Sequence, residues 1–174
     1  MNPKYAPICL FVYNRIYETR QTVKALQNNY LAKESELFIF SDGPKNDSDL
    51  SKILEVRNYL KKINGFKKIN ITVSNINKGL ASSIISGVTE IVKKYKKVIV
   101  IEDDIVTSKG FLKFMNSSLD FYEKNKKVFQ ISGFMFPIES DNLPDTFFYQ
   151  ANTCWGWGTW DDRWCNYDND TKSI

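Results

Sequence analysis

Short apolar runs alternate with amphipathic helical stretches along most of the 174 residues, and this alternation restricts the fold more than any other feature. Ala6–Tyr13 (APICLFVY) predicts a buried strand, and Glu36–Ser41 (ELFIFS), Ile69–Ser74 (INITVS) and Lys97–Glu102 (KVIVIE) predict three more strands. Between them lie helical patterns. Glu18–Tyr30 carries Thr22, Val23, Leu26 and Tyr30 at helical spacing, and a helix starting near Ser48, capped by Asp47 or Ser48, sets Leu50, Ile53, Leu54, Leu60 and Ile63 on one face. Leu80, Ala81, Ile84, Ile85, Val88, Ile91, Val92 and Tyr95 form the cleanest stripe. Ser108 is placed to cap a helix bearing Phe111, Leu112, Met115, Leu119 and Tyr122, while Val128–Phe134 and Thr146–Ala151 predict further strands. The expected fold is α/β, a mostly parallel sheet flanked by helices, as one domain over residues 1–174.

Composition narrows the chemistry. With 43% hydrophobic and 25% charged residues the chain is ordinary globular protein, and no run approaches the apolar length of a membrane span. The N-terminus is too polar for a signal peptide. Three cysteines, Cys9, Cys154 and Cys165, form no C-x-x-C pair, which favours a reducing, cytoplasmic setting. The lysines behind the net charge of +4 cluster near predicted helix ends, where they favour the helix dipole, and no nucleic-acid module accompanies them. There is no histidine. Ser–His–Asp and Cys–His catalysis and nearly all catalytic zinc sites are therefore excluded.

In an open α/β sheet, ligands bind beyond the carboxyl ends of the strands. Four such ends here carry unusual polar residues: Asn14 and Arg15 after the first strand, Asp42 and Gly43 after the second, Asn77, Lys78 and Gly79 after the third, and Glu102, Asp103 and Asp104 after the fourth. Each group taken singly also fits turn chemistry or a strand terminus. Their agreement on one edge favours a site. If the strand continued, Glu102 and Asp104 would share one side and Asp103 the other. Carboxylate oxygens suit Mn²⁺ or Mg²⁺, which need only one or two protein ligands beside substrate phosphates. There is no P-loop and no G-x-G-x-x-G. The block Cys154–Trp164 (CWGWGTWDDRW) holds all four tryptophans, suited either to stacking on a sugar as a pocket wall or to the core.

In this order, "PICLFVYNR", "FSDGPK", "NKGLASSI", "VIVIEDD" and "WGWGTWDDRW" resemble nucleotide-sugar-dependent glycosyltransferases of the GT-A fold. The resemblance is greatest to bacterial sugar transferases related to N-acetylglucosaminyltransferase I. It implies that Asn14, Arg15, Asp42, Gly43 and the Asn77–Gly79 loop contact a uridine diphosphate. It also implies that Glu102 and Asp103 approach the ribose or donor sugar, that Asp104 coordinates Mn²⁺ or Mg²⁺, and that Trp155, Gly156 and Trp157 form a donor–acceptor pocket. The family's base-loop histidine has Asn77 in the nearest position here. The catalytic base is expected in a C-terminal segment absent from this chain, with Asp161 the candidate within it.

The resemblance implies transfer of a sugar, with inversion, from a nucleoside diphosphate to a saccharide or glycolipid acceptor in bacterial surface polysaccharide synthesis. Neither a nucleic-acid partner nor a transmembrane segment is expected, and peripheral membrane contact is compatible. Two alternatives are a sugar nucleotidyltransferase, which would want a glycine-rich loop after the first strand, and a non-catalytic interaction module.

Overall fold

The computed structural model describes residues 4–137, 142–150 and 152–168. Its elements are β1 (Ile8–Val12), α1 (Ile16–Gln27), a 3-10 turn (Ala32–Glu34), β2 (Glu36–Ser41), α2 (Asp47–Leu60), β3 (Lys68–Val73), α3 (Leu80–Tyr95), β4 (Lys97–Glu102), α4 (Phe111–Phe121), β5 (Ile131–Ser132), β6 (Trp157–Trp160) and α5 (Asp161–Trp164). The six strands form one sheet in the order β3-β2-β1-β4-β6-β5. β3, β2, β1 and β4 are parallel, and β6 runs antiparallel to both β4 and β5. This is a Rossmann-like α/β sheet.

Strand periodicity builds two cores. Ile8, Leu10 and Val12 of β1, with Leu37, Ile39, Ile99 and Ile101, face the helices α1, α2 and α4. Cys9 and Phe11, with Val98 and Val100, face Val88, Ile91 and Val92 of α3. Helices thus cover both faces, and all five residues of β1 are buried. After β1, β2 and β3 step one way, the chain returns through α3 to lay β4 on the other side of β1. The order reverses between β1 and β4, which opens a crevice at their carboxyl ends.

Several expectations need correction. Residues 146–150 form no strand despite their aromatic content, since no neighbour pairs with them, and Ala151 lies outside the described residues. Val128–Phe134 shortens to Ile131–Ser132. Asn46, not Asp47 or Ser48, caps α2, its side chain accepting from the Asp49 N–H at 3.2 Å. Ser108 offers only its backbone carbonyl, to the Phe111 N–H at 3.2 Å, and α4 has no side-chain cap. The buried line of α2 is Ile53, Val56 and Leu60, which leaves Leu50 and Leu54 exposed, Leu54 lying about 100° round the helix from Ile53. Leu80 and Ala81 are exposed as well, because the first turn of α3 borders open hollows rather than the sheet.

The tryptophans resolve mostly to core. β6 pairs with β4, so Trp157 sits opposite Val100 in the second core, and Trp160 is 2% exposed. The Trp160 indole N–H donates to the Leu119 carbonyl at 3.0 Å, and its ring lies under the Arg163 guanidinium at 4.2 Å. Trp164 stacks on Tyr167 with centroids 4.8 Å apart. Trp155 is exposed, edge-on to Phe134. No helix among the described residues is long and apolar enough to cross a membrane.

Candidate functional site

The crevice at the β1–β4 reversal holds a cavity of about 290 Å³. Its floor is Phe11 and Phe40, neighbours in register whose rings stack 5.0 Å apart. Its walls include Arg15, Asp42, Asn77, Gly79, Glu102 and Asp103. Residues from all four strand-end loops therefore converge on one hollow.

Arg15 bridges the reversal. Emerging from β1, its guanidinium donates to Asp104 Oδ2 at 3.0 Å and pairs with Asp103 Oδ1, both just past β4. β4 ends at Glu102 and the chain turns, so Asp103 and Asp104 share this one guanidinium instead of facing opposite sides. Asp103 is 3% exposed and also accepts from the Tyr13 N–H at 3.3 Å. Burial raises its pKa, with Arg15 pulling the other way. Glu102 is raised too, first by burial and then by the charges of Asp104 and Asp103. Burial works against the Arg15 charge, but the two aspartates outweigh it and lift its pKa.

Asp42 is committed to the protein. Its carboxylate accepts from the backbone N–H groups of Gly43 (2.9 Å), Lys78 (3.0 Å) and Gly79 (3.0 Å), which fixes the loop that starts α3. The Asn77 amide donates to the Gly43 carbonyl at 2.9 Å and closes the same junction. Gly43 is required there, because a Cβ would collide with the Ile76 backbone. Asn14 is likewise committed, donating to Asp49 Oδ1 at 2.8 Å, while the Tyr13 hydroxyl donates to Asp49 Oδ2 at 2.9 Å. Contrary to expectation, Asn14 and the Asp42 carboxylate therefore spend their hydrogen bonds on the loops. The Lys78 side chain is exposed and, among the described residues, makes no ion pair.

Trp155, Gly156 and Trp157 do not line this cavity. The Gly156 carbonyl accepts from the Gly133 N–H at 2.8 Å, which places that segment beside β5. Asp161 is at the wrong end of the sheet for a base. It follows Trp160, which pairs with Lys97 at the start of β4, and its carboxylate takes the Lys96 ammonium at 2.8 Å. Five residue steps separate Lys97 from Glu102, about 17 Å.

No protein-family model and no curated protein matches the chain. Solved structures similar to it include three of different proteins. Residues 1–349 of S. aureus TarS align at 16% identity and TM-score 0.45, over 67% of this chain and 33% of that one. The mannosyltransferase PcManGT from Pyrobaculum calidifontis, solved with GDP-Man and Mn²⁺, aligns at 12% identity and TM-score 0.48, over 75% and 36%. The 4-diphosphocytidyl-2C-methyl-D-erythritol synthase from Anaerococcus prevotii aligns at 14% identity and TM-score 0.50, over 90% and 71%. What is shared is the fold. The chain spans about a third of the length of the first two proteins.

Two contributors went unforeseen. Lys45, within a stretch that reads as a turn, lines the cavity. Arg57 of α2 clamps the ends of β2 and β3, donating to Ser41 Oγ (3.1 Å) and to the carbonyls of Asp42 (2.9 Å) and Ser74 (2.7 Å). Its apolar neighbours on α2 gave the only hint, by setting the phase that turns position 57 toward the strand ends.

Proposed function

We propose that this chain is the donor-binding domain of a metal-dependent, GT-A-type glycosyltransferase, related to N-acetylglucosaminyltransferase I, taking a nucleoside diphosphate sugar. The reading rests on one observation: the cavity at the β1–β4 reversal, where Arg15 links β1 to the acidic turn after β4. Arg15, Lys45 and Lys78 supply positive charge for a diphosphate. Leu80 and Ser83 of the first turn of α3 also line the cavity, beside the Lys78 and Gly79 N–H groups that the Asp42 carboxylate already takes. Glu102 and Asp103 line the wall as acceptors for sugar hydroxyls, and Asp42 and Asn14 act by holding the loops.

The donor set fits a hard cation that keeps most of its own shell. Asp104 has a side chain 44% exposed and, among the described residues, Arg15 as its partner. No group of three metal-ligating side chains converges among the described residues, so substrate oxygens and water would complete the coordination. When bound, Mn²⁺ or Mg²⁺ supplies Lewis-acid neutralisation of the departing diphosphate. Asp104 would hold the ion, and Arg15 would offer its guanidinium to the phosphates.

The acceptor is a saccharide or glycolipid in bacterial surface polysaccharide synthesis, with inversion at the donor carbon. A sugar nucleotidyltransferase would instead place a glycine-rich loop after β1, and residues 13–20 contain no glycine. Thermal unfolding of the chain with uridine, guanosine, cytidine and adenosine diphosphates, with and without Mn²⁺, tests the proposal. A metal-dependent rise with at least one of them is expected. No shift with any, in folded protein, overturns it.

A further inference from the structure

The lysine clusters that sequence scatters along the chain gather at one pole of the fold. In a parallel sheet the helices run back against the strands, so helix ends and strand starts share the pole opposite the crevice. Lys61 and Lys62 follow α2, and Lys67 lies beside the start of β2, its N–H donating to the Ser35 carbonyl at 3.0 Å. Lys93 and Lys94 occupy the last turn of α3, and Lys96 stands in the turn into β4. Lys124, Lys126 and Lys127 follow α4, held there by Arg163, which donates to the carbonyls of Tyr122, Glu123 and Asn125. Apart from the pairs Lys96–Asp161, Lys97–Asp120 and Lys126–Asp162, these ammonium groups make no ion pair among the described residues. Among the described residues, the acids on these same helix ends and strand starts are Glu34, Glu36, Asp120, Glu123, Asp161 and Asp162, fewer than the lysines.

A second, independent feature lies at the same pole. Phe121 at the end of α4 is 79% exposed, Phe129 just before β5 is 57% exposed, and Phe148, whose ring meets Tyr122, is 71% exposed. Charged residues satisfying helix dipoles account for lysines, but not for bare phenylalanines beside them. The sheet is six strands wide, about 24 Å from β3 to β5, so the basic ends form a broad front rather than a groove.

We propose that this pole docks on an anionic lipid bilayer, the lysines meeting headgroup phosphates and Phe121, Phe129 and Phe148 entering the interface. A nucleic acid fits less well, because the exposed cations at this pole are, among the described residues, all lysines. Docked this way, the chain holds the crevice away from the bilayer and open to solution. The inference stands on surface charge and exposure, independently of the activity proposed above.

Co-sedimentation of the whole chain with vesicles tests it. Binding is expected to vesicles of phosphatidylcholine doped with phosphatidylglycerol, not to phosphatidylcholine alone, and to fall as salt rises. Each lysine at the surface contributes about fivefold, so Lys124→Glu with Lys127→Glu should weaken binding at least about 25-fold. The charge-matched Lys45→Glu with Lys52→Glu, near the opposite pole, should change it little. Phe121→Ser with Phe148→Ser should weaken binding while leaving its salt dependence unchanged. Absence of binding to anionic vesicles, equal losses from both lysine pairs, or tighter binding to mixed-sequence RNA or DNA would each overturn the proposal.

Discussion

Replacing Arg15 by methionine keeps an unbranched apolar stem and removes the charge that the buried Asp103 faces. Asp103 is 3% exposed, so loss of its guanidinium partner leaves a carboxylate with one backbone donor, Tyr13, at 3.3 Å. Losing a charge-assisted bond to a buried acid costs about 1.5–3 kcal/mol. The Arg15 side chain is itself 46% exposed, and water will take part of its place, so the expected loss near neutrality is about 1–2 kcal/mol. Its pH dependence is the sharper test. Burial is the largest cause of the raised Asp103 pKa, and Arg15 opposes it, so the variant raises that pKa further. A carboxyl raised in the folded state contributes stability that is complete below the unfolded pKa and lost as pH rises through the folded one. The deficit should therefore be small near about pH 4 and grow toward about pH 7.5. Urea unfolding of both proteins across that range measures it. A deficit constant with pH, or larger in acid, would refute the claim that Arg15 works by holding the Asp103 charge.

Other consequences follow from the same geometry. Gly43→Ala should destabilise the fold by about 1–3 kcal/mol in urea titration, since the added methyl meets the Ile76 backbone rather than a movable side chain. Asp42→Asn should speed hydrogen exchange at the Lys78 and Gly79 amides and weaken nucleotide binding with or without metal, because those N–H groups lose a charged acceptor. Trp160→Ala should cost about 3–5 kcal/mol, leaving a cavity and stripping the ring from beneath Arg163, with the loss read by thermal or urea unfolding.

β1 and β4 were legible because they are apolar along most of their length, as strands covered on both faces must be, whereas β3, exposed at the sheet edge, was legible only from the spacing of Ile69, Ile71 and Val73. So was the convergence of Arg15, Asp42, Asn77, Glu102 and Asp103, because strand order alone brings their loops together. Where their lone pairs and protons point was not legible. A polar residue at a strand end reads the same whether it meets a ligand or, like Asp42, the N–H of the next residue and two more over thirty residues away. The tryptophan block divided for a related reason, Trp157 and Trp160 going to the core while Trp157 and Trp164 also line a hollow against α3. Its density suggested a pocket, but an antiparallel partner for β4 was needed, and β6 supplied it. Residues 146–150 show the converse: aromatic strand formers without a strand beside them stay irregular. Lys45 and Arg57 escaped notice because a turn and a helix phase locate them, and neither is a pattern of residue types.

The central claim is that Asp104 holds a divalent ion for a diphosphate in the cavity that Arg15 spans. Calorimetric titration of uridine and guanosine diphosphates into the wild-type chain and Asp104→Ala, each with Mn²⁺ and with chelator, addresses it directly. Wild type should bind at least one nucleotide more tightly by an order of magnitude or more with Mn²⁺ (about 1.4 kcal/mol or more), and the variant should bind equally with and without it. A metal response undiminished in Asp104→Ala would contradict the account.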